Sequence, residues 1–425
     1  MKILILIVLF FNMFALSGQT SIQEVFETIE KSGGVNYAYP SQDINPGTPA
    51  PEGYKPFYMS HFGRHGSRYL VEDKEYKYAL DIFHEADSCK SLTPLGQEVY
   101  GRLKTIWQEA EGHGGKLTPL GIVQQKEIAE HMYKHYPEIF EGNAQATAVS
   151  TIVGRCIRSM ELLCQRLVEL SPGLTVSQDA APRHMDYLNH HTKEAVHFRY
   201  APDTWKEKHN QFQKEHVRPD RMIQALFSDK AFLNGKIEPD ALMWELYEIA
   251  SNVQNIETEI SLYDLFEKEE LFDLWQCKNY SLYVQYANAA ENGGIMMENA
   301  KPLLKDMVEC ANQAIENKSN GASFRFGHDG NIIPLAMLMH LQGCYNSVSD
   351  PSEFYKAWSS FKVAPMAGNI QMVFFRKEGS EDILVKFLQN ENEVSVPPIK
   401  SDILPYYHWK DVAKYYGSLL TSEKQ

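Results

Sequence analysis

The spacing of apolar and polar residues predicts strands and helices that follow one another along the chain. Short apolar or β-prone runs predict buried strands at 55–60, 144–151 and 322–326. Two later runs, 369–375 and 384–388, predict a closing hairpin. The helical patterns between these runs span 75–85, 94–111, 119–135, 154–170, 302–317 and 333–341. This alternation predicts an α/β fold class.

Two of the predicted helices begin with the same phrase, Leu-Thr-Pro-Leu-Gly, at 92–96 and 117–121. Threonine is a favoured N-cap residue, and proline is favoured at the first helical position. We therefore expect one capping device to be used twice. The phrase is too short to indicate an internal repeat.

Residues 171–300 break the alternation, because this stretch is helix-rich, aromatic and irregular. We expect an inserted, mostly helical domain at 156–300, which would act as a cap that sets substrate specificity. The flanking parts, 19–155 and 301–425, are predicted to form one α/β domain with the phosphoglycerate-mutase-like arrangement discussed below.

The composition is that of a globular protein with a substantial core. The chain has 425 residues, of which 44% are hydrophobic and 23% are charged, so it is long enough for two domains. Its net charge of -14 argues against nonspecific binding of nucleic acid. An anionic substrate would need a local basic cleft within this acidic background.

The N-terminus has the pattern of a secretory signal peptide. Met1-Lys2 is followed by an apolar run from Ile3 to Leu16 and then by small residues, so we expect a signal peptide at 1–18 and an exported protein, periplasmic or secreted. No cysteine follows the run, and no later run suggests a membrane anchor. Export permits disulfides, but six cysteines allow fifteen full pairings and the sequence does not choose among them.

The strand at 55–60 leads into the sequence Arg64-His65-Gly66-Ser67-Arg68. Guanidinium groups bind phosphate oxygens through paired, charge-assisted hydrogen bonds. An imidazole can act as a covalent nucleophile, and Gly66 lets a ligand approach the backbone closely. The loop therefore predicts a site that holds an oxyanion and attacks it. The alternative is a surface loop whose charges are solvated or paired with carboxylates.

Two other predicted strands end at side chains that suit the same chemistry. Arg155 follows the strand at 144–151 and begins a helix, where free backbone N–H groups favour an anion. His328 and Asp329 follow the strand at 322–326, at the edge where open α/β sheets carry their ligands. The alternatives are a helix-surface arginine at 155 and a simple turn with an aspartate cap at 329.

A basic patch within the predicted insertion raises two possibilities. The spacing of the histidines in this patch fits no standard zinc pattern, so we do not predict a metal site. We also expect no cofactor. A basic rim that contacts an anionic substrate is the favoured interpretation over plain surface histidines. The candidate specificity residues are Arg183, His184, His190, His191 and Lys193.

Set in order, the stretches 64–68, 117–124, 150–159, 327–329 and 364–369 resemble the motifs of the histidine acid phosphatases, the two-histidine branch of the phosphoglycerate-mutase-like fold. The resemblance covers nearly the whole mature chain. It departs at Leu70, where many of these phosphatases have proline. Length and the Arg155-Cys156 pair are similar to the multiple inositol polyphosphate phosphatases, which typically carry His-Ala-Glu where this chain has His328-Asp329-Gly330.

The resemblance implies an α/β sandwich with an inserted helical domain and a metal-free mechanism. His65 would attack phosphorus and form a phosphohistidine. Arg64, Arg68, Arg155 and His328 would bind the phosphoryl oxygens. Asp329 would donate a proton to the leaving group, as in the phytase and glucose-1-phosphatase branches, which implies an acidic optimum.

These features predict an exported phosphatase that acts on a small phosphomonoester, with inositol polyphosphates such as phytate as the first choice. A sugar-phosphate phosphatase or one of broad specificity is the alternative. A noncatalytic protein that binds phosphorylated ligands and a mutase or phosphotransferase are less favoured. Binding alone would need neither His65 nor Asp329, and the cytosolic relatives that transfer phosphate lack a secretory signal and usually the distal His-Asp pair.

Overall fold

The computed structural model describes residues 21–40, 47–233 and 236–422. The predicted signal peptide at 1–18 lies outside the described residues and stays a prediction.

A mixed β-sheet forms the centre of the molecule. Its strands are β1 (Tyr54–Arg64), β2 (Gln145–Ser150), β3 (Thr175–Asp179), β4 (Gly321–Gly327), β5 (Asn369–Lys377), β6 (Ile383–Gln389), β7 (Asn392–Glu393) and β8 (Tyr406–His408). Their spatial order is β3-β2-β4-β1-β5-β6-β7, and β8 also pairs with β6. The strands β3, β2, β4 and β1 run parallel, whereas β5 to β8 add antiparallel pairs. The predicted fold class and the closing hairpin are confirmed.

The longer helices are α1 (Lys74–Ser88), α2 (Pro94–Ala110), α3 (Pro119–His135), α4 (Gly154–Leu170), α5 (Lys193–Tyr200), α6 (Lys206–His216), α7 (Asp220–Leu226), α8 (Pro239–Val253), α9 (Lys268–Tyr286), α10 (Lys301–Glu316), α11 (Asp329–Leu338) and α12 (Trp409–Thr421). Short helical turns occupy Ile29–Asn36, Pro137–Ile139, Pro182–His184, Met185–Leu188, Lys230–Leu233, Tyr263–Leu265, Ala290–Asn292, Ile295–Ala300, Pro351–Glu353, Phe354–Ala357 and Ser360–Val363.

Helices cover both faces of the sheet, and each face has its own apolar core. Side chains alternate between the two faces of a strand. Met59 on β1 belongs to the core beneath α3 and α4, which includes Ile128 and Leu163. The next apolar residue on the strand, Phe62, belongs to the larger core on the opposite face. Leu274 of the helix-rich region is part of that larger core, so the sheet and this region are packed as one body.

The predicted domain boundary at residue 156 stays a prediction, and the structure shows which elements lie on either side of it. It cuts through α4, and β3 pairs in parallel with β2, from Gln145 opposite Thr175 to Val149 opposite Asp179. Residues 156–179 therefore complete the sheet layer, and the mostly helical part begins after β3. The strand was missed because β3 lies at the sheet edge and is only partly buried, so it has no strong apolar alternation.

The sheet brings three parallel strand ends to one edge. In the register of β1 and β4, Arg64 lies opposite Gly327, and in the register of β2 and β4, Ser150 lies opposite Phe326. The residues that follow these strands are therefore neighbours, although they are far apart in sequence.

The repeated capping device is confirmed. The Thr118 hydroxyl accepts a hydrogen bond from the Gly121 amide at 3.2 Å, and the Thr93 hydroxyl accepts one from the Gly96 amide at 3.0 Å. Both helix starts also pack against a carbonyl of another segment. A Cβ on Gly121 would lie 2.1 Å from the Ser67 oxygen, and one on Gly96 would lie 2.2 Å from the Leu226 oxygen. Each device therefore fixes a neighbouring chain segment, and one of these is the loop after β1.

Candidate active site

The imidazole of His65 is held in one orientation directly after β1. Its Nδ1 lies 2.9 Å from the carbonyl oxygen of Gly66. Because a carbonyl only accepts hydrogen bonds, Nδ1 carries the proton in this contact. The lone pair of the neutral ring is then on Nε2, which is the nucleophilic atom.

The surroundings of His65 keep its ring neutral. The side chain is 1% exposed, and this burial lowers the pKa of His65 well below its ordinary value. The charges of Arg64, Arg155 and Arg68 lower this pKa further. The unprotonated ring is thus available in acidic solution, where an exposed histidine would be charged.

Three arginines surround the histidine and leave hydrogen-bond donors unused. Arg64 donates to the carbonyl of Ala364 at 2.9 Å, and Arg68 donates to the carbonyl of Tyr69 at 2.8 Å. The Nε atoms of Arg64, Arg68 and Arg155 are buried, and none has a hydrogen-bond partner in the part of the chain that the structure describes. Buried donors are normally satisfied. The arrangement therefore fits an oxyanion that would accept hydrogen bonds from the cluster.

His328 lies opposite His65, with 5.6 Å between the ring centroids. Its Nε2 is 3.3 Å from the Thr151 hydroxyl, and its Nδ1 is 3.5 Å from Nη2 of Arg155. Arginine only donates, so Nδ1 accepts in that contact and Nε2 carries the proton. Burial, followed by the charge of Arg155, lowers the pKa of His328 to about 4.

Asp329 is the carboxylate of the cluster. Its Oδ2 lies 3.4 Å from Nη2 of Arg64, and its Oδ1 accepts a hydrogen bond from the Gly330 amide at 2.9 Å. The side chain is 30% exposed, whereas that of Arg64 is 1% exposed. Asp329 is therefore accessible to solvent, whereas Arg64 and His65 beside it are buried.

The thiol of Cys156 also lies in this cluster, 3.7 Å from His328, but it donates to the Gly327 carbonyl at 3.2 Å. Burial raises the pKa of this thiol to about 11, so it is not a competing nucleophile.

The stretch at 117–124 holds the loop in place. The Ser67 amide donates to the Gln124 side chain at 2.8 Å, and the Thr118 amide donates to the Ser67 carbonyl at 3.0 Å. A Cβ on Gly66 would lie 2.4 Å from the Gly121 oxygen, so the loop and α3 meet backbone to backbone. The stretch at 364–369 supports the other side, where the Ala367 amide donates to the His65 carbonyl at 2.9 Å.

Two asparagines near the end of α8 complete the support of the loop, and sequence reasoning missed both. Asn252 donates to the Arg68 carbonyl at 2.9 Å, and the Ser67 hydroxyl donates to Asn255 at 2.6 Å. Both asparagines are fully buried. No local motif marks them, and only their burial in the folded chain shows what they do.

The candidate specificity residues fall into two groups. Arg183 and His184 both contact Asp179, and Lys193 is exposed at the start of α5. His190 and His191 are half-buried in a segment that is tied to α11, because Asn331 donates to Asn189 at 2.8 Å. Within the described ranges, no group of three or more possible metal ligands lies close together.

Arg199 and Tyr286 form a further pair that the sequence did not reveal. The Arg199 guanidinium donates to the Tyr286 hydroxyl and lies 4.2 Å from the centre of its ring. The Tyr286 ring packs on Gly330, where a Cβ would lie 2.9 Å from Tyr286 Cε1. The pair thus stands next to Asp329.

Comparisons with known proteins identify the family of this chain. Residues 62–390 match the histidine phosphatase superfamily (branch 2). The chain belongs to this family, and it is a phosphatase. A search of curated proteins finds no match to this sequence.

Solved structures show the same fold at low sequence identity. The multiple inositol polyphosphate phosphatase of Bifidobacterium longum, in complex with inositol hexasulfate, is 17% identical with a TM-score of 0.76, and the match covers 92% of this chain and 98% of that chain. The phytase of D. castellii is 14% identical with a TM-score of 0.70, covering 93% and 86%. The Hafnia alvei phytase is 13% identical with a TM-score of 0.51, covering 87% and 98%.

Among the described residues, no helix combines the length and apolar character needed to cross a bilayer. The thiols of all six cysteines are free in the structure.

Proposed function

We propose that the protein hydrolyses phosphomonoesters through a phosphohistidine on His65 and that inositol polyphosphates are its substrates. One observation carries the proposal: three arginines, whose buried Nε atoms have no partner among the described residues, surround a neutral histidine. A cluster of this kind is costly without an anion, and the histidine supplies the nucleophile that binding alone would not need.

In the first step, Nε2 of His65 attacks phosphorus in line and the bond between phosphorus and the ester oxygen breaks. Arg64, Arg68, Arg155 and His328 donate hydrogen bonds to the phosphoryl oxygens and stabilise their charge in the transition state. In the second step, water attacks the phosphohistidine, and inorganic phosphate leaves. The positive charges of the arginines stabilise the phosphoryl oxygens, a role that a metal ion has in other phosphatases.

Asp329 is the proposed proton donor to the leaving oxygen in the first step and the base that activates water in the second. Its position supports this role, because its carboxylate is partly exposed to solvent while His65 is buried.

The choice of inositol polyphosphates rests on two kinds of support. The Bifidobacterium longum structure of the same fold holds inositol hexasulfate, a compound with several anionic groups on one ring. In this chain, the basic candidates Arg183, His184, His190, His191 and Lys193 lie in the helix-rich part, and we propose that they contact such groups.

The test is phosphate release from phytate, glucose 1-phosphate and p-nitrophenyl phosphate across pH 3 to 8, with the wild type and His65→Ala. We expect phytate to be preferred and His65→Ala to lose at least about 10³-fold in kcat. Acid-quenched wild type should carry a phosphoryl group on His65, detectable by mass spectrometry. Near-normal turnover by His65→Ala would contradict the covalent mechanism, and a preference for glucose 1-phosphate would favour a sugar-phosphate phosphatase.

Export is proposed from the pattern at residues 1–18 alone. Fractionation of cells that produce the full chain, followed by N-terminal sequencing of the mature protein, tests it. Protein found only in the cytosol with an intact N-terminus would contradict export.

A further inference from the structure

Among the residues that the structure describes, no carboxylate compensates the charge of Arg199. Across the ranges that the structure describes, no Asp or Glu lies within 4.0 Å of its guanidinium, and its Nε is buried without an acceptor. Its contacts are with aromatic rings: it donates to the Tyr286 hydroxyl and stacks at 4.2 Å over that ring. A guanidinium has five donors in a planar fork, so most of this capacity is unused.

A second unused polar atom lies just before the helix that carries Arg199. The Nδ1 of His191 is buried and has no partner within the described chain. Burial, then the charges of Arg199 and His190, lowers the pKa of His191. Each of the two residues therefore has a buried nitrogen that is without a hydrogen-bond partner among the described residues.

The position of this pair relates it to the phosphatase centre. Tyr286, which holds Arg199, packs on Gly330, the residue that follows Asp329. Burial raises the pKa of Tyr286 to about 12, while the charge of Arg199 lowers this pKa and that of Asp329 raises it. In the proposed mechanism the leaving oxygen of the substrate lies beside Asp329. A group bound at Arg199 would therefore belong to the leaving alcohol and not to the phosphate under attack.

We propose that Arg199, positioned by Tyr286, binds a second anionic group of the substrate, namely a phosphate carried by the leaving alcohol. This inference rests on the proposed function and deepens it, because it makes Arg199 a specificity residue for polyphosphorylated alcohols. A substrate with one phosphate has no group to place there and gains nothing from Arg199.

The test compares Arg199→Ala, Arg199→Lys and Tyr286→Phe with wild type on phytate and on p-nitrophenyl phosphate. We expect Arg199→Ala to lower the ratio of the two kcat/KM values by about tenfold or more, the effect of one lost charge-assisted hydrogen bond. The loss should appear mainly in KM for phytate. Arg199→Lys should recover part of the ratio, and Tyr286→Phe should give an intermediate value.

Arg166→Ala is the matched control, because it removes the same charge from a residue that is already paired with Glu130 and Glu169. Its ratio should equal that of wild type. A purely structural role for Arg199 predicts that both activities fall together with the melting temperature. That result, or an unchanged ratio, would overturn the inference.

A binding measurement separates this inference from the proposed function. Inositol hexasulfate has no phosphoester bond to hydrolyse, so its affinity, measured by calorimetry, does not depend on turnover. We expect Arg199→Ala to weaken binding by about tenfold. If wild type binds the sulfate but releases no phosphate from any substrate, the catalytic proposal fails and the specificity site stands. Equal affinity in both proteins, or no binding to wild type, would overturn the site.

Discussion

The carboxylate of Asp329 lies 3.4 Å from the guanidinium of Arg64. Burial alone would raise the pKa of Asp329, but Arg64, His328 and Arg68 outweigh it and lower this pKa to about 2. In the unliganded protein the proposed proton donor is therefore ionised at all but strongly acidic pH. A bound phosphate group brings negative charge that offsets the arginines, and this raises the pKa of Asp329 in the complex.

The first prediction is a difference between two pH profiles. The profile of kcat reports the substrate complex, whereas kcat/KM reports the free protein. A proton donor is active only when protonated, so kcat should fall as the pH rises through the pKa of Asp329 in the complex. We expect this fall at a pH well above 2. In the free protein Asp329 is mostly ionised at the same pH, so kcat/KM should already have fallen there.

The variant Asp329→Asn identifies the group responsible. It should lower kcat on phytate by about 10²–10⁴-fold and remove the fall of kcat at higher pH. Asp186→Asn, which changes an exposed carboxylate, is the control. If the alkaline limb persists in Asp329→Asn, another group is the proton donor.

The second prediction is that the arginine cluster costs stability in the unliganded protein. Burial, then the charge of Arg155, lowers the pKa of Arg68, so we expect its charge to be unfavourable where it lies. Arg68→Met keeps the aliphatic stem and removes the charge. We expect the free energy of unfolding to rise by about 0.5–2 kcal/mol, as when other functional strain is relieved.

Inorganic phosphate should make wild type more stable than Arg68→Met, which reverses the order expected without phosphate. At about 100 times its Kd, phosphate should stabilise wild type by about 2.7 kcal/mol, and this gain should be absent from Arg68→Met. Thermal melts with and without phosphate measure both effects, and Arg166→Met is the control with a paired, surface guanidinium. A variant that is less stable than wild type without phosphate would contradict the prediction.

The third prediction concerns Asn252 as a positioning residue. It donates to the Arg68 carbonyl at 2.9 Å and accepts from the Tyr76 hydroxyl at 2.6 Å. Asn252→Ala leaves that carbonyl unpaired and should cost about 1–3 kcal/mol of stability. It should also lower kcat by about 10²-fold, because small displacements of catalytic groups are costly.

Activity per folded molecule separates positioning from mere stability. Tyr76→Phe keeps the bond from Asn252 to Arg68, so it should lose much less activity at a similar loss of stability. If correctly folded Asn252→Ala, measured well below its melting temperature, has the wild-type kcat, then Asn252 is only structural.

The elements that are local in sequence were predicted well. Apolar runs marked the buried strands, and Thr93 and Thr118 marked two helix starts, because burial and capping depend on adjacent residues. The three strand ends could be grouped because parallel strands share one edge. The start of α11 was placed four residues late, at Ile333, since Pro334 favours the first turn of a helix and Gly330 and Asn331 favour a turn.

The parts that depend on distant contacts could not be predicted. Asn252 and Asn255 support the loop from 184 and 188 residues away. No sequence motif marks Arg199. It lies near Asp329 because it contacts Tyr286, which is 87 residues further along the chain and packs on Gly330. The edge strand β3 also has no apolar alternation, and only its pairing with β2 in the folded chain identifies it as a strand.

The fourth prediction tests the close approach between α3 and the loop that carries His65. Gly121→Ala would place a Cβ 2.1 Å from the Ser67 carbonyl oxygen, which is backbone and cannot rotate away. We expect a loss of about 2–4 kcal/mol in unfolding free energy, and a further loss of kcat because Ser67 adjoins Arg68.

Gly101→Ala is the matched control in α2, where nothing lies within 4 Å of the added carbon. It should raise stability by up to about 1 kcal/mol, since alanine favours helix, and leave kcat unchanged. Chemical denaturation of both variants, with kcat measured on the same samples, tests the prediction. Equal stabilities would mean that the backbones of α3 and the loop can separate at little cost, and that the contact at Gly121 does not fix the loop.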